Sequence, residues 1–468
     1  MKKIKFMAGL LLTLLLVSCN TSTQTKKENF SDEELENIVR HSYQYVAMYN
    51  VINNFAMKEN NLFYTHGWNN TYFGTKLSDH TAKAIARPNN DTYYIISTLD
   101  LRDDAIVINY PAFNSKYVSL EVSGYDHYVD IPLASSKGDF KKPVKVLYYT
   151  DRTKHYHGEP VDGVDTVLKM TSDFVVAFLR LAPHINDPKR SAEIKEALKD
   201  YKLTTLSEFQ GKPPVRVTPV KFPPFGSDQY VFKNDFLEVM QFIFNHVTFD
   251  PNDPMDKEVL AIFEPLGVKP GQQYDPKKVA KLDGERLAKI AAKVAKESLA
   301  IWNNPNGNPL IYKVFQPKGK MTLDAMVVQS AVGPIGLPAS QAIYPGIGTK
   351  TGEPLNSKND YVIKMTKDEL PPAKAFWSFT LYDAKNGYFI PNERKKYTVG
   401  ENGGMKLNKD GGIEIYIAAQ KPEGVPEENW LPINRDSIDL DIILRIYAPD
   451  TAKIKNWTPP KAEKITIK

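Results

Sequence analysis

The stretch Arg87-Pro88-Asn89-Asn90-Asp91-Thr92-Tyr93-Tyr94 places a guanidinium, two amides and a carboxylate just before an apolar run. Asn89 and Asp91 are suited to Asx-turns, in which the side chain bonds a backbone N–H two residues on. The same residues could line a pocket at a sheet edge, with Arg87 clamping an anion. A second set follows at Tyr125-Asp126-His127-Tyr128. On a regular strand neighbours point to opposite faces, so Asp126 and His127 cannot form a base-and-orienter pair there. Asp126 could instead join Asp91 if their strands are adjacent. Two carboxylates in one cleft suit acid–base work or a divalent cation, and two solvated carboxylates are the plainer reading.

Other candidates are weaker. His155 and His157 would share a strand face and could hold a transition metal, but Gly158 and Pro160 favour a loop and no third ligand is evident. Asp250, Asp253 and Asp256 gather oxygen ligands without EF-hand spacing, and fit a helix N-terminus better. No G-x-S-x-G, P-loop, dinucleotide fingerprint or H-E-x-x-H occurs. No cofactor is evident from the sequence, and a divalent cation has no further support.

The elements that must position these residues follow from periodicity. Ser31 and Glu34 have capping-box spacing ahead of a helix expected over about 32–58. From about 84 the period becomes two, as in Val118, Leu120 and Val122 against Ser119, Glu121 and Ser123, which suggests a sandwich. Amphipathic helical segments return from 188, including one drawn through DPKKVAKLDGERLAKIAAKVAKESLAIW, with Leu282, Leu287, Ile290 and Val294 as a packing stripe. From about 310 strands resume. Ile438, Leu440, Ile442, Leu444 and Ile446 alternate against Asp439, Asp441, Arg445 and Tyr447.

The chain opens with Lys2, Lys3 and Lys5, an apolar run from Met7 to Val17, and Cys19, its single cysteine. The apolar run is too short for an ordinary membrane span. Leu16-Val17-Ser18-Cys19 resembles the lipobox of bacterial lipoproteins, so residues 1–19 are expected to be a signal ending at a lipidated Cys19, and 20–31 a flexible tether. Loss of the three lysines would lower the formal charge from +5 and leave the remainder near neutral. That argues against a nucleic-acid partner. Thirty-three prolines and twenty-five tyrosines fit a loop-rich β protein.

RPNNDTYYIISTLDL with SKYVSLEVSGYDHYVD resembles the module known as domain of unknown function 1254. PPAKAFWSFTLYDAKNGYFIPNERKKYTVG, NWLP and LRIYAP resemble domain of unknown function 1214. The resemblance spans most of residues 32–463. It implies a mainly β architecture with a helical middle: an N-terminal helix plus Ig-like sandwich over 32–187, a helical linker domain over 188–310, and a jelly-roll-like sandwich over 311–468. Lys116 precedes Tyr117 where the family tends to place an arginine, so no bidentate fork is expected there. Because jelly rolls often bind sugars, Trp68, Trp377, Tyr382, Tyr397 and Trp430 with Asn392 and Asn429 are candidates for a saccharide site, although aromatics of this kind usually pack cores. The expected function is an envelope lipoprotein, membrane-held through its lipid, that binds a small or saccharide-like ligand in a cleft between the sandwiches. Arg87, Asn89, Asp91, Tyr125, Asp126, Trp377, Tyr382, Asn392 and Trp430 are its candidate residues. A hydrolase- or lyase-like enzyme using Asp91 and Asp126, and a structural or partner-binding envelope protein, are the alternatives.

Overall fold

The computed structural model describes residues 29–466 apart from 84–85, 303 and 305–308, so Cys19 and the leader lie outside the described residues. Ser31 and Glu34 form the expected capping box, and helix α1 runs Asp32–Met57. Seventeen of its residues are buried, polar ones such as Asn50 and Asn53 among them, because it is enclosed on nearly every side.

The N-terminal sandwich has two sheets. One contains β1 (Asn70–Gly74), β2 (Tyr93–Asp100), β4 (Val118–Gly124), β5 (Val129–Ala134) and β8 (Phe174–Leu181), in the order β1-β2-β8-β4-β5. The other contains β3 (Ile106–Tyr110), β6 (Val144–Tyr149), β7 (Thr166–Lys169) and β9 (Lys202–Thr205), in the order β7-β6-β3-β9. Val118, Leu120 and Val122 point into the core between them, with Ile95, Val175, Ile106 and Tyr148. The opposite face of the larger sheet does not meet solvent. Every residue of β2, β4 and β8 is buried, because α1 and the helical middle cover that face.

The helical middle comprises α2 (Pro188–Ala197), α3 (Leu206–Phe209), α4 (Asp228–Asn234), α5 (Phe236–His246), α6 (Pro254–Phe263), α7 (Gly284–Trp302) and α8 (Leu323–Val332). Three details differ from the periodicity reading. α2 packs Ile194 into the N-terminal sandwich core. α7 starts at Gly284 rather than near 275, because Asp283 accepts from Arg286 N and a Cβ at 284 would meet Lys233 O at 1.9 Å. α8 extends the helical region beyond 310. Its sequence, LDAMVVQSAV, is apolar nearly all round, so it carries no amphipathic stripe to read.

The C-terminal sandwich pairs two four-stranded sheets. β10 (Ala342–Ile343), β12 (Ala373–Asp383), β13 (Thr398–Gly400) and β16 (Leu440–Pro449) run in the order β10-β16-β12-β13. β11 (Asp360–Met365), β14 (Ile413–Ala418), β15 (Trp430–Pro432) and β17 (Ala462–Ile465) run in the order β15-β14-β11-β17. Leu440, Ile442, Leu444 and Ile446 fill the core between them, as the alternation predicts. The other face of β16, carrying Asp441, Ile443, Arg445 and Tyr447, is turned to the N-terminal sandwich. A bridging apolar cluster of Tyr117, Ala182, Phe376 and Tyr447 marks the joint.

Candidate functional site

The joint is built on the turn before β2. Asn89 Oδ1 accepts from Asp91 N (3.0 Å) and Thr92 N (2.9 Å), the Asx geometry its residue type favours. That turn presses Asp91 into the C-terminal sandwich. Asp91 is 1 % exposed, and its Oδ2 accepts from Ser378 Oγ (2.6 Å) and Tyr447 OH (3.0 Å). Ser378 and Arg445 are register partners on β12 and β16, so these strands present their polar side chains together. Burial pushes the Asp91 carboxyl up, while the Arg445 guanidinium and the two hydroxyls pull it down. Tyr382 OH donates to Pro88 O (2.5 Å).

Arg87 takes the left-handed backbone conformation, φ 53°, uncommon for a residue with a side chain. Three contacts with the C-terminal sandwich hold it there. Its N–H donates to Gly387 O (2.8 Å), its carbonyl accepts from Arg445 Nη2 (2.7 Å), and its Nε donates to Asp441 Oδ2 (2.7 Å). Strain of this kind persists where surroundings over-determine it.

Beside this turn lies a cavity with about 80 Å³ accessible to the centre of a water molecule. Tyr94 and Arg180 line it from the N-terminal sheet, and Tyr344, Ile443 and Arg445 from the C-terminal sheet. Trp302, Phe315, Val332 and Ile335 supply apolar wall, with Gln329, Gly333 and Gly336 between them. Gly336 permits a close approach, since a Cβ there would meet the Phe315 ring at 2.2 Å. His127 braces this wall from behind: Nδ1 meets Ser330 Oγ and Nε2 meets Pro334 O, both at 2.7 Å. Its burial pushes its pKa down to about 4.

Arg180 is 4 % exposed and donates to Glu121 Oε2. Tyr94, Arg180 and Ser119 are aligned across β2, β8 and β4, and Glu121 lies diagonally from Arg180. The guanidinium stays charged against Glu121, whose carboxyl burial pushes up. Arg445 is 3 % exposed, with its guanidinium 5.5 Å from the centre of the Tyr382 ring. Among the described residues, Arg445 Nη1 and Arg87 Nη2 are buried without a hydrogen-bond partner.

Of the residues singled out in the sequence, Arg87 and Asn89 line the cavity, and Asp91 and Tyr382 brace it. The Asp91–Asp126 pair does not form. β2 and β4 both run antiparallel to β8, which lies between them. Asp91 precedes β2 and Asp126 follows β4, so they lie at opposite ends of a sheet about 25 Å long at ~3.3 Å per residue. Asp126 is buried near Lys318 and Thr171 instead. Tyr125 is core, its OH donating to Asn53 Oδ1 (2.6 Å). The proposed saccharide set does not converge. Trp377 packs inside the C-terminal sandwich, Trp430 Nε1 donates to Ala418 O, and Asn392 closes a loop onto Lys396. Trp68 packs on Phe174 and Phe222, and Asn429 ties Lys406 O to Glu414 O. Tyr397 OH meets His80 Nδ1 instead.

His155 and His157 lie in an exposed loop rather than on a strand, and no group of three metal-ligating side chains occurs among the described residues. Asp253 caps α6, accepting from Met255 N and Asp256 N. Arg180, Glu121 and Arg445 escaped the sequence reading because alternation assigned their faces to solvent. The LRIYAP phrase was the one signal that pointed to Arg445.

Comparison with known proteins accords with this architecture. Residues 68–205 match the family described as protein of unknown function DUF1254, and residues 341–451 match protein of unknown function DUF1214. No curated protein is significantly similar in sequence. The crystal structure of the VPA0106 protein from Vibrio parahaemolyticus superposes with a TM-score of 0.69 at 21% identity, over 93% of this chain and 100% of that one. A putative uncharacterized protein from Burkholderia cenocepacia, 14% identical, gives a TM-score of 0.43 over 93% of this chain and 94% of that one. The cavity draws one wall from each matched segment and the rest from the chain between them. The chain belongs to the family in which a DUF1254 domain precedes a DUF1214 domain.

Proposed function

We propose that the protein binds a small molecule in the cavity where the two sandwiches and the helical middle meet. The observation that carries this reading is the pairing of apolar walls with two buried, unpartnered arginine nitrogens in one concave space. Ligand sites are mostly apolar concavities with a few placed polar groups, often at domain joints. Buried donors left unmade cost free energy, so their retention at one place is explained if a ligand completes them. The enzyme reading loses its paired carboxylates, because Asp91 and Asp126 lie at opposite ends of the sheet. The location reading is an extension: Lys2, Lys3, Lys5 and Cys19 support a lipid-anchored envelope protein.

The test is a thermal screen of the full-length chain and a cavity-filling variant against small acids, amides, sugars and esters. Gly333 suits the variant. Its φ of −177° is open to any residue, and a Cβ there would meet nothing within 4 Å. Gly333→Leu should keep the unliganded melting temperature while losing any ligand-induced rise. A ligand at about a hundred times its Kd contributes roughly 2.7 kcal/mol. A rise of equal size in both proteins would place binding elsewhere.

A further inference from the structure

The chemistry of the cavity says more about its occupant, and this step rests on the binding reading above. Its polar groups are mainly donors. Arg445 spends Nη2 on Arg87 O, and Arg87 spends Nε on Asp441. Nη1 of the first and Nη2 of the second remain, both buried. The nearby carboxylates are engaged. Asp441 is paired with Arg87, Glu121 with Arg180, and Asp91 Oδ2 with two hydroxyls. Asp91 and Arg445 influence each other electrostatically, yet no ion pair joins them. Tyr382 OH, beside Arg445, gives its proton to Pro88 O and lacks hydrogen-bond geometry toward Nη1. A neutral acceptor could meet one free N–H at a time. A carboxylate offers two oxygens and a compensating charge to two.

Size and wall set the remainder of the ligand. About 80 Å³ of water-centre space corresponds to roughly five to eight water positions at about 10–15 Å³ each. Trp302, Phe315 and Ile335 present aromatic and aliphatic surface away from the arginines. We propose that the cavity takes a small organic monocarboxylate, its carboxylate between Arg445 and Arg87 and its short apolar or aromatic body against Trp302, Phe315 and Ile335. The arginines are binding residues in this proposal, and no reaction is assigned to them.

The experiment is isothermal titration of the full-length chain with butyrate and benzoate, and with butyramide and benzamide as uncharged isosteres. Arg445→Gln and Arg87→Gln are measured beside the wild type, with circular dichroism and melting curves as fold controls. The expected result is that the acids bind, the amides bind at least tenfold more weakly, and each folded variant loses at least tenfold in affinity for the acids. Arg87, 12 % exposed in its side chain, is the substitution more easily tolerated if Arg445→Gln fails to fold. Equal binding of acids and amides, lost in Gly333→Leu, would overturn the carboxylate assignment and leave the binding cavity standing. Acid binding that survives Arg87→Gln and Gly333→Leu unchanged would overturn both. Absence of binding by either acid up to millimolar concentration would also overturn the assignment.

Discussion

Asp91 is at once a turn residue and a structural link between sandwiches. The Asn89 turn fixes its backbone, and its carboxyl is then consumed by Ser378 and Tyr447 across the joint. Asp91→Ala leaves two buried hydroxyls short of an acceptor and should cost roughly 2–4 kcal/mol in urea unfolding. An unchanged midpoint would remove the linking role. His127 gives a prediction in pH. Its folded pKa of about 4 lies below the unfolded value near 6.5, so the fold favours the neutral ring. Its contribution is complete above pH 6.5 and declines as pH falls toward 4, by up to about 3 kcal/mol. Buried carboxyls such as Asp91, Glu121 and Asp126 are shifted up and act with the opposite sign. They are common to wild type and His127→Gln, so the comparison isolates the histidine. The variant should have the shallower fall in stability between pH 6.5 and 4; parallel curves would contradict the assignment.

At the scale of elements, β4 shows where alternation misleads. Ser119, Glu121 and Ser123 have the pattern of a solvent-facing row, yet all three are fully buried beneath the helical layer. Period two reports that the faces differ; it does not report what lies over the polar one. Glu121 is tolerated there because Arg180 on β8 answers its charge. Removing one member of a buried pair leaves the other unmatched, so Glu121→Ala should cost about 3–5 kcal/mol in chemical denaturation. A loss below about 1 kcal/mol would mean that water reaches Arg180. β16 repeats the lesson. Its apolar row fills the sandwich as expected, and its charged row, Asp441 and Arg445, is the joint.

For the whole molecule, the joint explains a site belonging to neither sandwich alone. Arg87 is held in a strained conformation by groups from residues 387–445, and the cavity needs walls from three parts of the chain. Where the molecule sits is a separate question, carried by its first nineteen residues. If Cys19 carries the lipid, Cys19→Ser should move the protein from the detergent phase to the aqueous phase on phase partitioning. Equal partitioning of both would rule out the anchor.

The sequence by itself determined what depends on neighbours along the chain. The Ser31–Glu34 cap, the Asn89 turn, the Asp253 cap, the strands read from period two and the order of the two modules are all of this kind, since local hydrogen bonding and side-chain alternation are short-range. Tertiary structure decided which polar residues meet. Asp91 and Asp126 looked like partners until β8 came between their strands, and Arg87, Arg180 and Arg445, separated by some ninety residues and more, were assembled at one cavity. Contacts of that sequence separation depend on sheet order and on what covers each face. Both are set by the packing of whole layers, which no local pattern records.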